Sequence, residues 1–387
     1  MKIVELETLR PRVQPNLLFV RLRTDEGRTG LGEAYFGARS VEAYLHESVA
    51  PLLMGMTDPA PERVAVLLAP YTGFQGAGAE VRGNGAVDLA LWDLFGKETG
   101  LPLVRLLGGP VREEIPIYNT CAGSGYVSSG GQRSGNWGLR PGLYEDLHAF
   151  LHEPGRLARE LRDEGITAMK VWPFDTAAEA TNGTHIPRRD LDRGLAVIEA
   201  IREVDGMEVM VELHGLWSRP AATAIIEALT PLRPRWVEDP VRPDATDALR
   251  RLARQVDVPI ATGETATGRR GFLPIMDAID VATVDVQWCG GLTEARKVAA
   301  LCETYGVPIA PHDCSGPVTL AASVHLVLSQ PNGLIQETAR AFLRTWYRAV
   351  AEGLPAIEAG IVRAPATPGH GVRLTRTDEM DRRVTSL

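Results

Sequence analysis

The 387-residue chain sets 41 Lys and Arg against 49 Asp and Glu, a formal net charge of −8, with 44% hydrophobic and 23% charged residues. That is the composition of a globular protein long enough for a barrel and a second domain. The absence of a basic tract argues against nucleic acid or an anionic membrane as main partner. No apolar run approaches the length of a membrane span, and MKIVELETLRPRV has no apolar signal region. Cys121, Cys289, Cys302 and Cys314 lack CxxC spacing and read as reduced core thiols. A cytoplasmic location is expected.

Residues 1–33 predict a hairpin, KIVELETL followed by NLLFVRLRTDEGRTGLGE, with DEG marking a reversal. Residues 40–68 and 86–97 predict helices, the second with Val87, Leu91, Leu94 and Phe95 on one stripe. The glycine-rich stretch 71–85 between them reads as a loop. Strands and then helices, without alternation, make a separate α+β unit over 1–112.

From 113 onward the pattern alternates strictly. Strands are predicted at 115–120, 167–172, 208–214, 235–239, 259–264, 281–287, 308–313 and 334–338, with helices at 143–164, 190–204, 220–230, 244–255, 270–279, 293–305, 317–329 and 342–352. Alternating β and α elements of this kind predict an α/β fold, a (β/α)8 barrel over 113–355. The Pro- and Gly-rich segment 356–387 is expected to return to the first domain and complete it. Two connections that follow strands, 121–142 and 173–189, are long enough to act as lids or specificity elements. They carry Tyr126, Asn136, Arg140, Asp175, Asn182 and His185, groups suited to a polar, polyhydroxylated small molecule.

Glu212, Glu238 and Glu264 each close an apolar run, evenly spaced by 26 residues along the chain. The series continues with Asp285, His312 and Glu337. In a parallel barrel all strand ends share one face, where the chemistry is built. Three carboxylates converging there repel one another unless a cation neutralises them, which points to a divalent-metal site.

The segments GAVDLALWDLFGKETGLPLVRLLGG (85–109), WVEDP (236–240), TGE (262–264), DVQWCGGLTEARK (285–297) and PHDCSGP (311–317) resemble the enolase superfamily, in its mandelate racemase-like branch, over nearly the whole chain. The resemblance implies one Mg2+ held by Glu212, Glu238 and Glu264, an oxygen-only set suited to a hard cation. Asp is common at the first of these positions in the branch, so Glu212 is a slight departure. By the same resemblance His312 is the base that removes a proton α to a carboxylate, Asp285 fixes its tautomer, and Glu337 hydrogen-bonds the substrate carboxylate as it gains charge. Asp239 is expected behind the metal ligands rather than among them.

Many relatives carry Lys-x-Lys on the second barrel strand. Here the segment is MKVW, with Lys170 present and Trp172 in the second lysine's place, so two-base racemisation of the usual kind loses a partner. Lys170 then supplies positive charge near the carboxylate. His214 follows Glu212 by two residues, and strand alternation puts both on one side. Sugar-acid dehydratases resembling galactonate dehydratase carry an acid-x-His pattern here, in which the His protonates the departing 3-hydroxyl. The expected function is Mg2+-dependent dehydration of a sugar acid, an aldonate before an aldarate, to a 2-keto-3-deoxy acid. The alternative is a racemase, epimerase or cycloisomerase on the same scaffold. A homo-oligomer is expected. His325 is expected in the core, and His46, His148 and His152 facing solvent.

Overall fold

The computed structural model describes residues 1–69 and 78–387. Ile3–Pro11, Leu17–Thr24 and Thr29–Tyr35 pair antiparallel in chain order, and Met380–Ser386 adds to the free edge of Ile3–Pro11. The expected hairpin is therefore the core of a larger sheet. Alternation along the strands puts Ile3, Leu6, Leu18, Val20 and Leu22 against Ala86, Val87, Ala90 and Leu91 of the helix Ala79–Thr99. Strand and helix pack closely because Gly32 has no Cβ; one there would collide with the carbonyl of Ala86.

That helix begins seven residues before the expected start at 86. Gly85, which as composition suggested a loop, lies inside it for a packing reason: a Cβ there would strike the carbonyl of Gln287 in the barrel. Of the expected loop, 71–77 lies outside the described residues, and 79–84 belong to the same helix as Gly85. Phe95 falls off the buried stripe and is 38% exposed.

The parallel strands Ile115–Thr120, Ala168–Val171, Glu208–Glu212, Val237–Glu238, Ile260–Thr262 and Val281–Ala282 follow one another around a barrel. Ile309 bridges Ala282 on one side and Gly333 on the other, and Gln336–Thr338 pairs back onto Ile115–Thr120 to close the ring. The expected seventh strand is reduced to these bridges because Pro308 and Pro311 cannot donate to a ladder. Tyr118, Ala168, Met210, Trp236, Ala261, Val281, Ala310 and Ile335 fill the interior. The (β/α)8 barrel with its α+β cap is thus present as a packed core rather than a pore.

Two cap carboxylates tie the cap to barrel helices. Glu33 accepts from the backbone N–H groups of Val318 (2.9 Å) and Thr319 (2.6 Å), at the start of Pro317–Ser329. Asp88 accepts from the N–H of Thr293 (2.9 Å), at the start of Leu292–Thr304. Negative charge at a helix N-terminus complements its dipole. Before it reaches the cap, the C-terminal stretch forms a hairpin, Ala356–Glu358 with Ile361–Arg363, that pairs with Ile115–Thr120.

The 173–189 connection is not all loop: Asp175–Thr181 is a helix. His46 is buried, contrary to expectation: its ring bridges Thr8 (2.9 Å) and Thr385 (2.7 Å) and so ties the cap sheet's first strand to the C-terminal strand beside it. His148 is half-buried, His152 is exposed, and His325 is fully buried. Among the described residues no helix is long and apolar enough to cross a membrane.

Candidate active site

Glu212 and Glu238 end their strands in register, paired directly across the ladder. Glu264 stands two residues beyond Thr262, delivered by Gly263 at φ +127°, a conformation that L side chains rarely adopt. Ligand oxygens of the three carboxylates lie within 4.8 Å of one another. Burial and the neighbouring acids push Glu238 up to about 8: carboxylates this close repel one another, and with no further cation one of them keeps its proton. Oε2 of Glu212 accepts no hydrogen bond; its contact is the ammonium of Lys170 at 3.3 Å. An all-oxygen trio of mutually repelling carboxyl groups, one with a buried, unsatisfied oxygen, suits a divalent cation. Asp239, buried behind Glu238, meets Thr262 instead of joining the trio.

Lys170 is 3% exposed and its Nζ touches three acids, Glu238 at 2.7 Å, Glu337 at 3.0 Å and Glu212 at 3.3 Å. Burial alone would lower its pKa, but the pull of Glu238 and Glu337 raises it well above the ordinary lysine value, so it stays an ammonium. Glu337 is correspondingly held at about 2: burial opposes ionisation, and Lys170 and His312 overcome it. Its second oxygen accepts from the N–H of Asp313 at 2.9 Å, and the first from Thr120.

His312 stands where the seventh strand leaves the barrel, its N–H bonded to the carbonyl of Val284 (3.1 Å). Nδ1 is 2.8 Å from Oδ2 of Asp285, and Nε2 is 3.3 Å from Oε2 of Glu264. Asp285 is itself pinned: Oδ1 accepts from the N–H groups of Gln287 (2.8 Å) and Trp288 (2.6 Å). The indole of Trp288 lies over the imidazole at 5.0 Å. Burial lowers the pKa of His312, yet Glu264, Glu337 and Asp285 together lift it to about 10.

His214 reaches the site by a different route from the expected one. The strand ends at Glu212, and His214 sits at φ +48°, so a left-handed turn rather than strand alternation aims its ring. Its N–H donates to Oε1 of Glu212 (2.7 Å), Nδ1 meets Oδ2 of Asp175 (2.7 Å), and Nε2 meets Nε2 of Gln132 (3.2 Å). Burial is outweighed by Asp175 and Glu212, which lift its pKa to about 10. Trp172, with Tyr126 and Phe150 around it, packs edge-on against the ring at 5.7 Å.

A cavity of about 210 Å³ joins these groups, lined by Lys170, Trp172, His214, Glu264, His312 and Glu337 among others. Of the loop groups singled out from sequence, Tyr126 lines it and Asp175 supports His214. Arg140 instead binds Glu145 and Ser124, Asn136 bonds back within its own loop, and His185 is exposed beside Thr184. Asn182 ends Asp175–Thr181 in the left-handed conformation. Cys314 lines the cavity, while Cys121, Cys289 and Cys302 are buried and all four are free thiols. Sequence reasoning missed Phe36, Arg82, Thr120, Gln132, Thr265 and Trp288. Arg82, from the cap helix, lies 4.2 Å from the Trp288 ring and donates to the carbonyl of Tyr35 (3.1 Å). Its only signal was a lone basic residue in the glycine-rich stretch.

Residues 154–378 match the family described as enolase C-terminal domain-like, and residues 8–108 match the mandelate racemase/muconate lactonizing enzyme N-terminal domain. The chain therefore belongs to the mandelate racemase/muconate lactonizing enzyme family of enolase-like proteins. It is 32% identical, over 96% of its length and 92% of the relative's, to D-galactonate dehydratase of Ralstonia nicotianae. It is 31% identical, over 97% and 92%, to D-galactonate dehydratase of Variovorax paradoxus. Among solved structures, an enolase of the mandelate racemase subgroup from Agrobacterium tumefaciens is similar at TM-score 0.87 and 42% identity, covering 100% of this chain and 99% of that one.

Proposed function

We propose that the protein is a Mg2+-dependent sugar-acid dehydratase, taking an aldonate before an aldarate and releasing water and a 2-keto-3-deoxy acid. The observation that carries this reading is one cavity lined by two histidines, each backed by an aspartate, next to three glutamates whose oxygens lie within 4.8 Å of one another. Its support in kind comes from relatives whose names are D-galactonate dehydratase. In domain terms the reading assigns 1–112 to a cap, 113–355 to the barrel and 356–387 to a closing segment.

Glu212, Glu238 and Glu264 would hold the Mg2+, which when bound supplies Lewis-acid stabilisation of the charge that develops on the substrate carboxylate. Lys170 adds positive charge beside that same carboxylate, and Glu337, ionised beside the ammonium, would hydrogen-bond it once it takes up a proton. His312 takes the C2 proton at Nε2, the nitrogen that Asp285 leaves free. It accepts only as the neutral ring, which a cation taking up the charge of Glu264, 3.3 Å from Nε2, would favour. His214 gives a proton from Nε2 to the C3 hydroxyl as the C3–O bond breaks. Breaking C2–H and C3–O forms the C2=C3 enol, which ketonises to the product. Trp172 bears no group that can exchange a proton with C2, which favours elimination over two-base epimerisation.

The test is incubation of the protein with Mg2+ and a panel of aldonates and aldarates, scoring 2-keto acid as its semicarbazone. Turnover that disappears with EDTA and returns with added Mg2+ is expected. No keto acid from any substrate, in protein shown by titration to bind Mg2+, would overturn the reading.

A further inference from the structure

Of the two histidines lining the cavity, His214 is the one whose ring nitrogens meet side chains from the two long connections. Gln132 and Tyr126 belong to 121–142, and Asp175 opens the helix Asp175–Thr181. Asp175 is 2% exposed, and its Oδ2 lies 2.7 Å from Nδ1 of His214. Its other oxygen is buried and accepts no hydrogen bond, so the ring is the side chain's only polar partner among the described residues. Removing that partner would leave a buried carboxylate with none, which is costly.

We propose that Asp175 is the positioning residue for His214: it holds the proton of Nδ1 and leaves Nε2 as the only nitrogen able to deliver a proton to the leaving hydroxyl. The proposal rests on the dehydratase reading above. Geometry supports it in three ways. The left-handed turn at His214 brings the ring to Asp175, and Trp172 blocks rotation of the imidazole on one face. Gln132 meets Nε2 from the cavity side at 3.2 Å, where a substrate hydroxyl would replace it. The arrangement repeats the Asp285–His312 pair, with the difference that Asp285 is pinned by two backbone N–H groups and Asp175 by its helix alone. A carboxylate in this role fixes the tautomer of a catalytic histidine, and an amide in its place lets the ring adopt the wrong one.

The experiment combines an NMR and a kinetic measurement on Asp175→Asn and Asp175→Glu. In the cation-free protein, at a pH where the His214 ring is neutral, its ¹⁵N resonances, assigned by their loss in His214→Asn, report which ring nitrogen carries the proton. Asp175→Asn is expected to move that proton off Nδ1, and Asp175→Glu to retain it. In the Mg2+ enzyme, elimination by Asp175→Asn should fall on the order of 10²–10⁴-fold. Deuterium exchange at C2 should persist, which also shows that fold and metal site survive, and Asp175→Glu should recover part of the elimination rate. An unchanged tautomer in Asp175→Asn, or elimination and exchange lost in equal proportion, overturns the proposal. If the tautomer responds and no sugar acid is dehydrated by the wild-type protein, the dehydratase reading fails while the positioning role stands.

Discussion

The cavity has two histidine poles that are built differently. His312 stands on the barrel: its backbone is bonded to Val284, its partner Asp285 is clamped by two N–H groups, and Trp288 covers its face. His214 stands past the end of a strand, in a strained turn, with Asp175, Gln132 and Tyr126 brought to it by the two long connections. The rigid pole suits a step shared by every reaction that removes an α-proton. The loop-built pole suits the step that differs between substrates. Loops vary more freely than the elements they connect, so a scaffold can keep one pole and remodel the other.

The sharpest way to break this comparison is to remove each ring in turn. His312→Asn should abolish elimination and C2–H exchange together, by about 10⁴-fold or more. His214→Asn should reduce elimination by about 10³-fold and leave exchange in D2O measurable. The readings are 2-keto acid formation and deuterium in recovered substrate. Exchange lost in both variants would erase the division of labour between the poles.

The barrel pole was the legible one. Glu212, Glu238, Glu264, Asp285, His312 and Glu337 each end a strand-like run in the sequence, and the even 26-residue spacing of the three glutamates pointed to a common face before any geometry was known. Lys170 was legible as a cation but not as the bridge of three acids, because contacts across a barrel axis leave no trace in local spacing. The loop pole was only half legible. Strand alternation put His214 on the right side for the wrong reason, since φ +48° is a backbone event that composition does not announce. Asp175 and Tyr126 were named only among several polar loop residues, and Gln132 not at all. Arg82 was hidden by Gly83 and Gly85, which read as loop yet serve a helix packed against Tyr44 and Gln287.

Rigidity at the barrel pole can be tested without touching a charged group. Gly263 delivers Glu264 at φ +127°, and a Cβ there would stand 2.5 Å from Cε1 of Phe272, a fully buried ring. Gly263→Ala should lower unfolding free energy by about 3 kcal/mol, from overpacking and backbone strain combined. It should also weaken Mg2+ binding as Glu264 shifts. Chemical denaturation and metal titration measure the two effects. A variant as stable as wild type would mean that this turn is softer than its geometry indicates.

The smallest effect belongs to the loop pole. Gln132 is held by Tyr126 and by the ring of His214, and it lies on the side from which substrate enters. Its amide occupies the point where a substrate hydroxyl would meet Nε2, so binding exchanges one hydrogen bond for another. Gln132→Ala removes the competitor along with any contact that the amide makes once displaced. The net change should be a few-fold in KM, about 1 kcal/mol, with denaturation midpoint unmoved because the side chain is only part-buried. A fall in kcat with KM constant would mean that Gln132 helps to steer the proton itself. The loop pole would then reach further into the chemistry than the contrast with the barrel pole allows.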